Sequence, residues 1–538
     1  MNQTIAPFAR PLYVMTKPVG AVCNLACDYC YYLEKANLYK DISKHVMSDE
    51  LLEKFIREYI GSQTMPQVLF TWHGGETLMR PLSFYKRVME LQQKYAGGRT
   101  IDNCIQTNGT LLTDEWCEFF KKNNWLVGVS IDGPQEFHDE YRKNRQGRPS
   151  FTKVMQGIHL LKKHGVEWNA LAVVNDFNAD YPLDFYHFFK EIDCHYIQFT
   201  PIVERISPHA DGRHLASPLQ EDERLADFSV SPEQWGNFLC ILFDEWVRQD
   251  VGNFFIQLFD STLANWVGAQ PGVCTMAKTC GHAGVMEFNG DVYSCDHFVF
   301  PEYKLGNIHE KTLVEMMYSE RQMKFGQMKQ DSLPRQCKEC EFLFACNGEC
   351  PKNRFSRTAD GEPGLNYLCK GYHQFFQHVA PYMDYMKKEL LAERAPANIM
   401  EAIKKESCKA LLFYRCLPVR HIHRPTHPIP EPASCTDHTR WHKNQSRPDA
   451  HPEISIRSDL LHSLLLLSKN LLWLNVLHSY SSVFKFLLTF LCCLIRFHKI
   501  LIQCFVPRRD VTSSCRTAGP VHHGHQHQQP AQYYHQGV

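Results

Sequence analysis

From about residue 10 to residue 205, short apolar runs alternate with longer amphipathic ones, the signature of strand and helix units repeated around a parallel sheet. The strand candidates are Leu12–Val22, Val68–His73, Ile101–Thr107, Leu126–Ile131, Trp168–Val174 and Tyr196–Thr200. Helical periodicity fills the gaps at Ser48–Ile60, Pro81–Tyr95, Asp114–Asn123, Phe151–His164 and Leu183–Glu191. Capping chemistry supports these starts: Ser48 precedes Asp49 and Glu50, and Thr113 precedes Asp114 and Glu115. Six strands in roughly 190 residues are too few for an eight-fold barrel. The expected fold class is therefore α/β, an open partial barrel or a doubly wound sheet, with chemistry at the C-terminal strand ends.

Beyond residue 205 the pattern changes. A polar connection, Ile206 to Glu221, leads into helices, the clearest being Pro232–Arg248. From residue 271 the segments become short and Cys-rich, with a hairpin signal at Val285–Tyr293 whose Asn289-Gly290 pair suits a tight turn. A stretch this rich in loops cannot hold itself by apolar burial alone, which points to an inorganic organiser. The expected division is 10–205, a partial barrel; 206–270, a helical connection; 271–375, a Cys-rich α+β domain; 376–407, a C-terminal helix; and 408–538, an atypical tail outside the catalytic fold.

The charge balance sharpens that last boundary. Lys and Arg total 58 and so do Asp and Glu, so nothing in the whole chain calls for nucleic acid or an anionic membrane. Residues 408–538 nevertheless hold 15 basic and 6 acidic residues, leaving 43 and 52 for the rest. The tail also carries 14 of the 28 His, and its Leu-rich stretch, Leu460 to Val506, is broken by Lys469, Lys485, Arg496 and Lys499. That is too interrupted for a spanning helix, so a membrane role is not expected and the tail reads as a non-native extension, as from an altered reading frame.

Cysteine changes the picture most: 22 in all, 15 of them before residue 408. The N-terminus shows no apolar core behind a basic start, so the expected compartment is the cytoplasm, where closely spaced thiols hold metal rather than pair. Cys23, Cys27 and Cys30 follow the first strand as Cys-x3-Cys-x2-Cys, three thiolates able to wrap one iron-sulfur cluster and leave one iron open. Zinc is the alternative, but the nearest further ligand is His45, fifteen residues past Cys30. At the end of the second strand, Trp72-His-Gly-Gly-Glu76 offers paired glycines for close backbone approach and a carboxylate that can hold an ammonium. Gln106-Thr-Asn-Gly109 and Ser130-Ile-Asp-Gly133 close later strands with small polar residues, as an active rim should. Further on come Cys274, Cys280 and Cys295, then Cys337, Cys340, Cys346, Cys350 and Cys369, eight thiols that make two sets of four. Paired zinc sites are the alternative there too. Cys104, Cys117, Cys194 and Cys240 fall in strands and helices and read as ordinary buried residues.

The three-cysteine motif, with Tyr29 before its last Cys, resembles the signature of radical S-adenosylmethionine enzymes, and the C-terminal run resembles the SPASM extension of peptide-modifying members. Tyr293-Ser-Cys295-Asp296-His297-Phe298 and the overall order are similar to the anaerobic sulfatase-maturating enzymes over about residues 10–400. The resemblance implies a partial (β/α)6 radical SAM barrel, a SPASM domain, S-adenosyl-L-methionine and three 4Fe-4S clusters. It implies cofactor contacts at Tyr29, Gly74, Gly75, Glu76, Ser130, Arg142 and Val203, although Arg142, in the run Arg142-Lys-Asn-Arg145, can equally face solvent, and Thr77 stands where Pro is commoner. It assigns one auxiliary cluster to Cys274, Cys280, Cys295 and Cys350, and the other to Cys337, Cys340, Cys346 and Cys369. It also makes Asp296 the base, where a turn cap is the plainer reading. The implied reaction is oxidation of a sulfatase Cys or Ser to Cα-formylglycine without oxygen: the deoxyadenosyl radical takes a Cβ hydrogen, and the second electron leaves through the auxiliary clusters. The implied partners are an unfolded or nascent sulfatase and a low-potential donor such as ferredoxin or flavodoxin. Two other readings stay open: a SPASM enzyme that crosslinks or epimerises a ribosomal peptide, and a non-catalytic iron-sulfur electron carrier.

Overall fold

The computed structural model describes residues 12–206, 224–281 and 283–405, so the 408–538 tail lies outside the described residues. The first strand, β1 (Tyr13–Thr16), is buried throughout and far shorter than the apolar run from Leu12 to Val22. Pro18 has no N–H to extend a ladder, and Gly20 adopts a φ of 54°, so the rest of that run becomes a loop. Five strands follow much as expected: β2 (Gln67–Trp72), β3 (Thr100–Thr107), β4 (Leu126–Ser130), β5 (Trp168–Val174) and β6 (Tyr196–Pro201). Each pairs in parallel with its predecessor. The connecting helices are α1 (Asp49–Gly61), α2 (Leu82–Tyr95), α3 (Asp114–Lys122), α4 (Gln135–Tyr141), α5 (Phe151–His164) and α6 (Pro182–Glu191).

Local chemistry sets their ends. The Ser48 and Thr113 side chains accept from the Leu51 and Trp116 amides and cap α1 and α3. Gly165, at a φ of 62°, closes α5 in the left-handed cap that glycine adopts without strain. Along β5, Ala170, Ala172 and Val174 are buried while Asn169, Leu171 and Val173 are half-buried on the other face.

Two features were not expected. After a short ribbon, β7 (Arg205–Ile206) with β8 (Arg224–Leu225), the helical connection gives α7 (Pro232–Gln249), β9 (Phe255–Ile256) and α8 (Gln257–Trp266), and β9 joins the sheet in parallel beside β6. At the other edge the Cys-rich segment is continuous with the barrel sheet. Its hairpin, β10 (Ala283–Met286) and β11 (Asp291–Tyr293), places β10 parallel to β1, and β12 (Lys304–Asn307) adds a final antiparallel strand. The result is one ten-stranded sheet ordered β12-β11-β10-β1-β2-β3-β4-β5-β6-β9. Two-residue strands such as β9 carry too little pattern to be read from sequence, and pairing of β10 with β1 is a long-range event.

The remainder is short: α9 (Leu313–Met317), α10 (Glu320–Asp331), α11 (Arg335–Lys338) and α12 (Leu343–Cys346), then the ribbon β13 (Ser356–Arg357) with β14 (Pro363–Leu365). The closing helix, α13 (Cys369–Leu391), starts seven residues before the expected boundary at 376, so a cluster cysteine is its first residue. It lies against α7 at glycine contacts: a Cβ on Gly371 would sit 2.2 Å from the Pro232 carbonyl oxygen. Only glycines allow that approach, which fixes the N-terminal end of α13 in the fold.

Candidate active site and cluster sites

The loop from Lys17 to Cys30 leaves β1 at its C-terminal end and is held there by backbone. Gly75 and Glu76 amides donate to the Gly20 and Val22 carbonyls at 2.7 and 2.8 Å. A Cβ on Gly75 would lie 2.0 Å from the Val22 oxygen, so the paired glycines dock the cysteine loop onto the end of β2. The Asn108 amide group, from the rim after β3, reaches the Cys23 sulfur at 3.8 Å and Asn24 at 2.9 Å. Desolvation pushes the Cys23 thiol up to about 12, with Glu76 and Cys30 adding to it, and raises Cys27 and Cys30 as well. Three desolvated thiols within reach of one another's charge favour a cation that would take them as thiolates.

The Glu76 carboxylate is wholly buried and accepts from the Leu78 amide at 2.9 Å, the Thr107 hydroxyl at 2.7 Å and the Asn108 amide at 2.7 Å. It clamps the β2 and β3 rims together, with Oε1 taking two of these bonds and Oε2 only the one from Asn108. Arg142 does not face solvent either: it is buried and donates from Nε and Nη2 to the two oxygens of Asp132, at 2.8 and 3.1 Å. Asp132 also receives the Tyr29 hydroxyl and the Val173 amide. Ser130 accepts from the Gln106 side chain at 2.9 Å, and Gly128 leaves the space that side chain crosses. Tyr29 packs between Tyr141 and Phe228, and Val203 is buried with its carbonyl accepting from Lys352 at 2.9 Å.

Asp296 sits where the two halves of the sheet meet. Thr16 lies in register with Met286 on one side and Trp72 on the other, so Glu287, Lys17 and His73 follow as a polar row at the strand ends. Lys17, with no exposed surface, places its ammonium 2.5 Å from Asp296 and 3.4 Å from the centre of the Tyr32 ring. The Tyr31 hydroxyl, one residue past Cys30, donates to the same carboxylate, while Tyr32 donates to Glu287. Burial alone would push the Asp296 carboxyl up. The Lys17 ammonium, with His73 and His297, outweighs it and holds the group well below the usual carboxylate range. His73 and His297 are driven down to about 4, mainly by burial, and are neutral near pH 7. The site therefore offers one ionised, unprotonated oxygen acid beside a buried cation, not a turn cap.

The eight C-terminal cysteines influence one another in two groups. Cys295 senses Cys274, Cys350 and Cys280, and Cys350 senses Cys280 and Cys274. Cys346 senses Cys369 and Cys337, while Cys369 senses Cys337 and Cys340. The latter four line one cavity of about 350 Å³, together with Phe342, Tyr372 and Phe376. Among the described residues, no three His, Cys, Asp or Glu side chains close on a single metal ion. Cys117, Cys194 and Cys240 are buried in the core, as expected, whereas Cys104 is only half-buried and contacts the Thr71 hydroxyl at 3.0 Å.

Residues 18–189 match the Radical SAM superfamily and residues 280–341 the SPASM iron-sulfur cluster-binding domain. A serine-type anaerobic sulfatase-maturating enzyme of Bacteroides thetaiotaomicron is 84% identical over 407 residues, 76% of this chain and 98% of that protein. The chain belongs to the anaerobic sulfatase-maturating enzymes. A cysteine-type family member from Clostridium perfringens is 33% identical over 69% of this chain and 97% of its own. A solved structure, native anSMEcpe with bound AdoMet and a Cp18Cys peptide, matches 71% of this chain and all of its own with a TM-score of 0.63 at 32% identity. The chain is thus a radical SAM oxidoreductase with the SAM and iron-sulfur apparatus of its family.

Sequence reasoning missed Lys17, Glu287 and Lys329 and gave Asp132 no role of its own. Lys17 and Glu287 flank strands whose pairing was unknown. Lys329 sits in a polar helix whose pattern reads as solvated surface, yet it is completely buried.

Proposed function

We propose that the chain oxidises a sulfatase serine to Cα-formylglycine, the serine-type assignment resting on its 84% identity to a serine-type enzyme. The observation that carries the reading is Asp296, held by Lys17 from the barrel and by Tyr31 beside Cys30, while its own neighbour Cys295 belongs to the first four-thiol set. One carboxylate thus touches both the radical-generating loop and an auxiliary site. When bound, S-adenosylmethionine and the three 4Fe-4S clusters supply a radical that removes a Cβ hydrogen and an acceptor for the remaining electron.

The chain's own residues do the rest. Ser130 and Arg142 bind the cofactor carboxylate, with Asp132 fixing the guanidinium, and Tyr29 and Val203 pack along the cofactor. Gly74, Gly75 and Glu76 shape the rim that receives its amino group. Cys23, Cys27 and Cys30 are ligands of the SAM-binding cluster, and the two four-thiol sets hold the auxiliary clusters. Asp296 accepts the hydroxyl proton of the target serine, and the Lys17 ammonium keeps that carboxylate ionised before transfer. An unfolded or nascent sulfatase segment is the substrate, and a low-potential ferredoxin or flavodoxin the donor, in the cytoplasm and without nucleic acid. No helix among the described residues is long and apolar enough to cross a membrane.

The Asp296→Asn enzyme tests the base. Product formation is expected to fall by about 10²–10⁴-fold, the usual span for a positioned general base, while 5'-deoxyadenosine still forms. Wild-type product rates would remove Asp296 from the mechanism.

A further inference from the structure

The buried charges around the C-terminal cysteines do not balance among the side chains. Lys329 on α10 has no exposed surface, and its ammonium donates to the carbonyls of Cys274 and Thr275, both at 2.7 Å. Among the described residues no carboxylate stands within ion-pair distance of it. Arg354, half-buried, is likewise held by carbonyls. Its guanidinium donates to the carbonyls of Lys329 at 2.5 Å, Gly348 at 2.8 Å, Asn347 at 3.0 Å and Glu349 at 3.2 Å, with a long contact to Ser332. The Glu349 carboxylate is turned to Asn353 and Asn366 instead.

An unpaired buried ammonium is costly, and carbonyl dipoles offset only part of that cost. The groups it faces are the cysteines of the first set, with the buried Glu349 carboxylate close by. The Lys329 ammonium on the Cys274 carbonyl and the Cys280 amide on the Gly326 carbonyl of α10, at 3.0 Å, seat that helix against both cysteines. Arg354 holds the carbonyls of Asn347, Gly348 and Glu349, the turn between Cys346 of the second set and Cys350 of the first. Because the Lys329 carbonyl accepts from Arg354, the two cations are tied together, with Lys329 against the first set and Arg354 facing both.

A cation close to a thiolate-ligated cluster stabilises its reduced, more negative form and raises its potential. Resting on the cluster reading above, we propose that Lys329, assisted by Arg354, is the counter-charge of the iron-sulfur group held by Cys274, Cys280, Cys295 and Cys350. Once bound, that group would have a higher reduction potential with the Lys329 ammonium beside it than without it.

The test is an EPR-monitored potentiometric titration of the iron-loaded full-length enzyme, with iron counted in each preparation. Lys329→Met keeps the stem and removes the charge. It is expected to favour the oxidised form of one cluster by tenfold or more at fixed potential, a fall of about 59 mV for one electron. Lys329→Arg, which keeps the charge, is expected to restore the wild-type midpoint. A fully loaded Lys329→Met enzyme with all midpoints unchanged overturns the proposal. Iron lost in the Met variant but kept in the Arg variant supports the counter-charge role, whereas iron lost in both shows that Lys329 is packing and overturns it. Wild-type enzyme that binds only about four irons would remove the auxiliary clusters themselves, a failure visible before any variant is titrated.

Discussion

Residues 12–206 and the cysteine-rich segment from Cys274 to Cys369 share one sheet but are held by different forces. In the barrel half, strands and helices bury a continuous core in which Trp72, Trp125, Tyr85 and Phe120 are almost wholly enclosed, and the polar residues gather at the strand ends. In the cysteine-rich segment the helices α11 and α12 are four residues each, Cys337, Cys340, Cys346 and Cys369 line a cavity, and Lys329 is buried with no carboxylate in ion-pair distance among the described residues. The first region is held by its apolar core. The second has short helices and buried polar groups in place of such a core, and Asp296 stands where the two meet.

The sharpest way to break the comparison is to remove the iron. Chelation is expected to abolish activity and to speed amide exchange across 274–369, while β2 to β6 keep their protection. Equal loss of protection in both regions would show that the barrel depends on the clusters as much as the extension does. Next in size is Gly75→Ala, which drives a methyl group to 2.0 Å from the Val22 oxygen. The loop carrying Cys23, Cys27 and Cys30 is expected to be displaced, so cofactor binding by calorimetry should weaken at least tenfold, about 1.4 kcal/mol, with auxiliary iron retained.

A smaller effect is expected from pH, and it belongs to the barrel half. Burial drives His138 down to about 3 and His73 to about 4, so between about pH 4 and pH 6.5 the unfolded chain binds protons that the folded chain refuses. Stability therefore rises with pH across that window, and denaturant midpoints should climb from pH 4.5 to 6.5 and then level off. His138→Gln is expected to flatten part of the slope; an unchanged slope would show that His138 does not contribute. The smallest effect is expected at Cys240, a core thiol outside every set. Cys240→Ala should leave the iron count unaltered, and a loss of iron would redraw the ligand sets.

How much of this was legible in the sequence follows the same division. β2 to β6 and their helices were readable because periodicity and caps are local; Trp168–Val174 and Phe151–His164 lie where the pattern placed them. The cysteines and Asp296 were readable because they sit in motifs with fixed spacing. The parallel joining of β10 to β1 was not, since nothing in either strand names its partner. Lys17 reads as an ordinary loop lysine until β10 brings Asp296 to it, and nothing in the sequence announces that Glu76 also ties the β2 rim to Thr107 and Asn108. Motif reading finds the residue that matters more readily than it finds what that residue touches.

The most direct measurement is an anaerobic assay of the iron-loaded enzyme with reductant, S-adenosylmethionine and paired Ser- and Cys-containing sulfatase peptides, read by mass spectrometry alongside an iron count. The account predicts about twelve irons and a Ser peptide that loses the mass of two hydrogens as its target becomes formylglycine. Twelve irons and 5'-deoxyadenosine, with both peptides unmodified or crosslinked, would contradict it.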